Sequence, residues 1–217
     1  MLFIQKLFTD PESYFIWVIL VVFSVCCHEY SHALVAKLQG DSTAADNGYL
    51  TINPIKQMGL TSMIALLLIG ITWGAVPVNP SRLRHKYSHA LVAVAGPLMN
   101  LLLFLIFTVA ASVMYIKYGY MAEGIQASLF RLCFTGGLLN IVLLVFNLVP
   151  VPPLDGWAIL TYIFPHIHRL NTELRNGIIF GLFILVFISF DKFFLYGSYV
   201  TIYVINIFLP LLRSLGI

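Results

Sequence analysis

The sequence predicts an all-α polytopic membrane protein. It should have about five membrane-spanning helices, one re-entrant segment and a candidate short membrane-associated β-hairpin, all in one domain over residues 1–217. Three observations carry this prediction. Of the 217 residues 60% are hydrophobic and only 10% are charged, where a soluble domain carries about 25% charged residues. Apolar runs recur at close to the ~20 residues that a helical crossing needs. No repeat, low-complexity tract or linker marks off a second domain. The net charge of +3 comes without a long basic run, which excludes a nucleic-acid partner. Cys26, Cys27 and Cys133 are too few for a disulfide framework and read as small packing residues.

Tyr14–Leu38 is the first predicted span, with Asp10-Pro11-Glu12 as its cap and first turn. The residues before it carry only Lys6 as a basic group, and no small-residue cleavage site follows, so a signal peptide is not expected. Residues 39–59 are polar and glycine-containing; Tyr49–Asn53 alternates briefly, the hairpin candidate. Leu60–Trp73 is apolar but short for a crossing, which favours a re-entrant or interfacial path. Ser81–His89 is a basic loop, Ala90–Tyr115 a second span, and Lys117–Glu123 a short connection. Leu132–Val149 is a third span, and it runs into Pro150, Pro152 and Pro153, which break the helix. Trp157–Phe164 closes the core at 14–164, and Gly177–Phe190 and Tyr196–Leu212 form a C-terminal pair turning at Asp191-Lys192.

Within the first span lies His28-Glu29-Tyr30-Ser31-His32. Ionisable groups are costly in hydrocarbon, so such a cluster marks a functional site. Residues four apart share a helix face, so His28 and His32 can grip one metal ion, with Glu29 in reach of water on that ion. Asp155 sits on the proline-broken chain, where an unpaired carboxylate would be expensive and irregular backbone survives only inside protein or beside a cavity. Together these make a His₂-carboxylate set with a fourth position open, the composition of a catalytic zinc site.

That site constrains the topology. If residues 60–73 crossed, His28 and His32 would lie ~30 Å from Asp155 on the opposite face. A re-entrant path brings them together. It also leaves Lys6, Lys117, Arg131 and Lys192 on one side against the other eight of twelve basic residues, compared with a seven-to-five split for the crossing path. The lopsided arrangement fits the positive-inside tendency and predicts a multi-pass cell-membrane protein with the site toward the cytosol and the N-terminus outside.

The pairing of His28-Glu29-Tyr30-Ser31-His32 with Asn147-Leu148-Val149-Pro150-Val151-Pro152-Pro153-Leu154-Asp155-Gly156 resembles the site-2 protease family of intramembrane zinc metalloproteases. Gly74–Pro80 and Ala95-Gly96-Pro97 are similar to small bacterial members without a PDZ or CBS module. The resemblance implies one Zn²⁺ per chain on His28, His32 and Asp155, Glu29 as catalytic carboxylate, and Asn147 near the substrate or oxyanion. It implies hydrolysis of peptide bonds in or near transmembrane segments of other membrane proteins, which would make such a protein and the lipid bilayer its partners. Zinc would lower the pKa of bound water toward ~7 while Glu29 acts as general base and then acid. Residues 49–53 are the candidate strand for substrate docking by strand addition.

Two other classes compete: a non-hydrolytic metal-binding membrane protein such as a divalent-cation carrier, and a pseudoprotease binding module. A carrier has no need of Glu29 beside its ligands, and a dead site would not keep all four groups. Among the remaining polar residues, Asn100 is expected to pack or hydrogen-bond between helices at a Gly-Pro turn. His85, His89, His166 and His168 are expected as solvated loop residues. Gly136, Gly137, Gly177 and Gly181 are expected to permit close helix packing.

Overall fold

A computed structural model describes residues 2–119, 123–169 and 171–216, without the side chains of His168 and Arg169. Seven helices longer than two turns make the frame among the described residues: α1 (Pro11–Leu38), α2 (Gly59–Ile69), α3 (Ser88–Tyr118), α4 (Gly124–Asn147), α5 (Asp155–Ile163), α6 (Thr172–Ile188) and α7 (Phe190–Ser214). The centre of the expected Lys117–Glu123 loop lies outside the described residues.

Local chemistry sets the helix ends. Asp10 caps α1 by accepting from the Ser13 amide at 3.2 Å, and Pro11 opens the helix where no N–H is needed. Gly70, at φ 77°, ends α2 in the left-handed conformation that glycine adopts most easily. Gly96 and Pro97 lie inside α3 rather than at a turn. α4 starts eight residues earlier than the apolar run, and Arg131 in its second turn pairs with Glu12 of α1 at 3.0 Å.

Among the described residues four helices, α1, α3, α4 and α7, are long and apolar enough to cross a membrane. The expected fifth crossing is the 17-residue α6, and the turn after it falls at Ser189, with Asp191 and Lys192 already in α7. The β-hairpin is also corrected, for no strand occurs among the described residues. Gln57 explains the loss at 49–53. Its Nε2 donates to the Tyr49 and Thr51 carbonyls at 2.8 and 2.6 Å, taking the alternate acceptors a strand ladder would need.

The expectation for residues 60–73 meets a clear geometry. After α2 the chain doubles back over 70–79. Ser62 Oγ donates to the Trp73 carbonyl (2.7 Å) and accepts from its amide (2.9 Å), and Ala75 N–H donates to the Gln57 carbonyl (3.2 Å). The chain therefore returns beside the residues it left. Asp41 fastens the end of the segment by accepting from the Asn79 amide at 2.6 Å. Burial alone would raise the Asp41 pKa. Hydrogen bonds from the Thr43 hydroxyl, then the Asn79 and Thr43 amides, with the Arg82 charge, outweigh it and hold the carboxyl below the usual range.

The apolar core gathers Ile16, Leu20, Val21 and Val25 of α1 with Leu66 and Leu139. Small residues let the helices close up. A methyl group at Gly136 would strike Phe107, one at Gly137 would touch Thr108 and Thr201, and one at Gly197 would press on Val142. Gly177 and Gly181 do not follow this pattern, since nothing lies within 4 Å of where their Cβ atoms would be.

Candidate metal centre

His28 and His32 sit one turn apart on the buried face of α1, with ring centroids 4.6 Å apart. Their Nε2 atoms are 3.0 Å from each other. Asp155, at the start of α5, completes the group: Oδ2 lies 3.1 Å from His28 Nε2, and Oδ1 lies 3.3 Å from His32 Nε2. α5 can begin there because Gly156 presses against the Leu148 and Val149 carbonyls, where any side chain would collide.

The donor set fits a zinc ion. Bonds of 2.0–2.1 Å at tetrahedral angles put ligand atoms about 3.3 Å apart, close to the three separations observed. Asp155 Oδ2 is buried and has no hydrogen-bond partner, an orphan that a cation would satisfy. The rings are also turned correctly. His32 Nδ1 lies 2.7 Å from the Val92 carbonyl, which can only accept, so Nδ1 carries the proton and Nε2 offers its lone pair inward. His28 Nδ1 faces the side-chain amide of Asn100, with Oδ1 at 2.6 Å.

Glu29 is buried beside the pair. Two glycines make room for these groups. A Cβ at Gly96 would collide with both imidazoles, and one at Gly74 would fall 2.5 Å from Glu29 Cγ and Oε1. The group lines a cavity of about 500 Å³, as do Thr72 to Val76 and Val78 of the returning segment.

Comparison with known proteins identifies the family. The chain is 33% identical over 183 residues to YwhC of Bacillus subtilis, a candidate zinc metalloprotease by name, covering 79% of this chain and 80% of that protein. The chain belongs to peptidase family M50. The family profile matches residues 108–189, a stretch that holds Asn147 and Asp155. Rip2 of Mycolicibacterium smegmatis, also a candidate zinc metalloprotease by name, is 34% identical over 179 residues, 77% of this chain and 64% of that protein. Rip2 of Mycobacterium tuberculosis is 34% identical over 151 residues, 66% of this chain and 54% of that protein. No solved structure matches. As an M50 protein the chain is a zinc metallopeptidase of membranes, with His28, His32 and Asp155 gathered as a candidate zinc site.

The other expected site residue, Asn147, lines the cavity, and its Nδ2 gives one N–H to the Leu143 carbonyl at 3.0 Å. A second N–H stays available. His89 lines the cavity from the first turn of α3 rather than from a loop. His85 stacks on Tyr87, and His166 is exposed. His168 falls outside the described side chains. Cys26 is a core residue, as its neighbours in the sequence imply. Asn100 does bond between helices, to Asn140 and to His28 of the candidate zinc site. The glycine-proline motif around it was the available signal.

Proposed function

We propose that this M50 metallopeptidase is an intramembrane endopeptidase that hydrolyses peptide bonds within or beside transmembrane segments of other membrane proteins. The observation that carries the reading is Glu29 beside three convergent ligand atoms in a cavity that the non-helical chain after α2 helps to line. His28, His32 and Asp155 would hold the zinc. When bound, it supplies a Lewis acid and makes a hydrolytic water available near neutral pH.

The chain's own residues do the rest. Glu29 takes a proton from the attacking water onto a carboxylate oxygen and returns it to the leaving amine nitrogen. The free N–H of Asn147 is directed at the charge that builds on the scissile carbonyl oxygen. A substrate helix hides its peptide groups in internal hydrogen bonds, so it must open into extended chain before attack. The docking edge we infer is 72–78 rather than 49–53. Trp73, Ala75 and Asn79 have their amides tied to Ser62, Gln57 and Asp41. In extended chain alternate residues point their backbone groups to opposite edges, which leaves Gly74, Val76 and Val78 for a substrate strand.

The out-and-back path of 59–79 supports a re-entrant segment, and the lopsided distribution of basic residues then favours the site toward the cytosol and the N-terminus outside. Cysteines introduced at Thr43 and Ser81 should then label from the same side. Labelling from opposite sides overturns the topology. For the chemistry, Glu29→Gln should keep bound zinc and lose cleavage of single-span substrates by about 10²- to 10⁴-fold. A variant that cleaves like the wild type overturns the role of Glu29.

A further inference from the structure

Behind His28 runs a chain of buried side-chain amides that no step of hydrolysis uses. Asn100 Oδ1 faces His28 Nδ1 at 2.6 Å. Asn100 Nδ2 donates to Asn140 Oδ1 at 3.0 Å. Asn140 Nδ2 spends both its N–H groups, one on the Gly136 carbonyl and one on Ser24 Oγ, each at 2.9 Å. Asn100, Asn140 and Ser24 are fully buried, and they tie α3, α4 and α1 together at the level of the site.

An amide side chain can be turned end for end, so the direction of such a chain needs a fixed point. The Gly136 carbonyl is one, because it can only accept. The atom of Asn140 facing it must therefore be the nitrogen. A flipped Asn140 would set oxygen against oxygen at 2.9 Å in a site without solvent to relieve it. With Nδ2 held there, Oδ1 faces Asn100, so Asn100 must present its own nitrogen to Asn140 and its oxygen to His28. An oxygen at that place accepts the Nδ1 proton and leaves the Nε2 lone pair for the metal.

We propose that Asn140 and Asn100 are positioning residues forming a polarity relay, through which the Gly136 carbonyl fixes His28 in its metal-binding tautomer. Asn140 touches no metal ligand, yet it sets zinc affinity. Without it the Asn100 amide is free to turn its nitrogen toward His28 Nδ1, which favours the tautomer with the proton on Nε2. The relay rests on the zinc reading of His28, His32 and Asp155.

The test is zinc affinity of the full-length protein in detergent, measured by competition with a chromophoric chelator. Asn140→Leu should weaken binding about tenfold, the scale on which metal sites respond to loss of an orienting partner. Asn140→Asp should retain most of the affinity, since a protonated carboxyl group donates its O–H to the Gly136 carbonyl and still offers an oxygen to Asn100 Nδ2. Ser24→Ala should bind like the wild type, because Gly136 alone fixes the direction. A purely structural role for Asn140 predicts the reverse order, with the buried acid worse than leucine. Wild-type affinity in Asn140→Leu, or weaker binding by Asn140→Asp than by Asn140→Leu, overturns the relay. His28→Ala separates the two levels. If it loses zinc while Asn140→Leu does not, the relay alone fails; if it binds zinc like the wild type, the zinc reading fails and the relay with it.

Discussion

The helices around the site and the C-terminal pair are equally apolar in sequence and differ in what they bury. α1, α3 and α4 place Ser24, Asn100, Thr108 and Asn140 entirely inside, each with a hydrogen-bond partner. α6 buries no residue, and Phe187 and Ile188 are 76% and 75% exposed. α7 lies between these cases, with Gly197 and Thr201 seated against Val142 and Gly137 of α4. In a bilayer the lipid chains are as apolar as leucine, so exposed phenylalanine is no defect there, and association comes from close packing and polar contacts. Hydropathy therefore finds both regions, but small and polar residues separate the part that holds a site from the part that flanks it.

Glycine substitutions put this contrast to the largest test. Gly96→Ala drives a methyl group into His28 and His32, and zinc affinity should fall by at least the 10- to 100-fold seen when ligand orientation is lost. Chelator competition would measure it, and unchanged binding would mean that α3 can move away. Gly74→Ala meets Glu29 instead, so it should leave zinc bound and lower the cleavage rate, which separates displacement of the ligands from displacement of the carboxylate.

A smaller effect of opposite sign is expected in the C-terminal pair. At Gly177 and Gly181 a methyl group meets nothing within 4 Å, and alanine removes the entropy penalty of glycine in a helix. Each change should stabilise the protein by about 0.5–1 kcal/mol, read as a higher midpoint of thermal unfolding in detergent. A loss of stability there would reveal a partner for α6 and erase the contrast.

The smallest effect concerns the tether of the returning segment. Asp41 has a lowered pKa, so its contribution is complete above the unfolded-chain value near 3.9 and is lost as pH falls through the lower, folded value. Asp41→Asn should reduce stability at neutral pH and flatten that acid limb. An identical acid limb in the variant would show that Asp41 does not carry it.

Much of the candidate site is legible because its signals are local or chemically costly. His28, Glu29 and His32 are one helical turn, and Asp155 stands out as a carboxylate on proline-broken chain in an apolar setting. The membrane helices are legible in length and hydropathy, whereas the first two turns of α4, with Gln126, Ser128 and Arg131, interrupt the apolar run. The hairpin at 49–53 fails because Gln57 captures its carbonyls from outside the five residues that alternate. Asn100 and Asn140 lie 72 and 112 positions from His28. No spacing rule links residues that meet only when three helices pack.

The uncharged nature of those two asparagines has a consequence for electroneutrality. Metal-bound histidines are often oriented by a carboxylate, and here an amide takes that place. With a divalent cation in the proposed site, its two positive charges are matched by Asp155 and Glu29, and the neutral imidazoles and amides add nothing. The assembly then has a net charge of zero, the least expensive state for a cluster buried among apolar helices. Asn100→Asp would strengthen the hold on His28 and leave one unmatched negative charge inside the bundle.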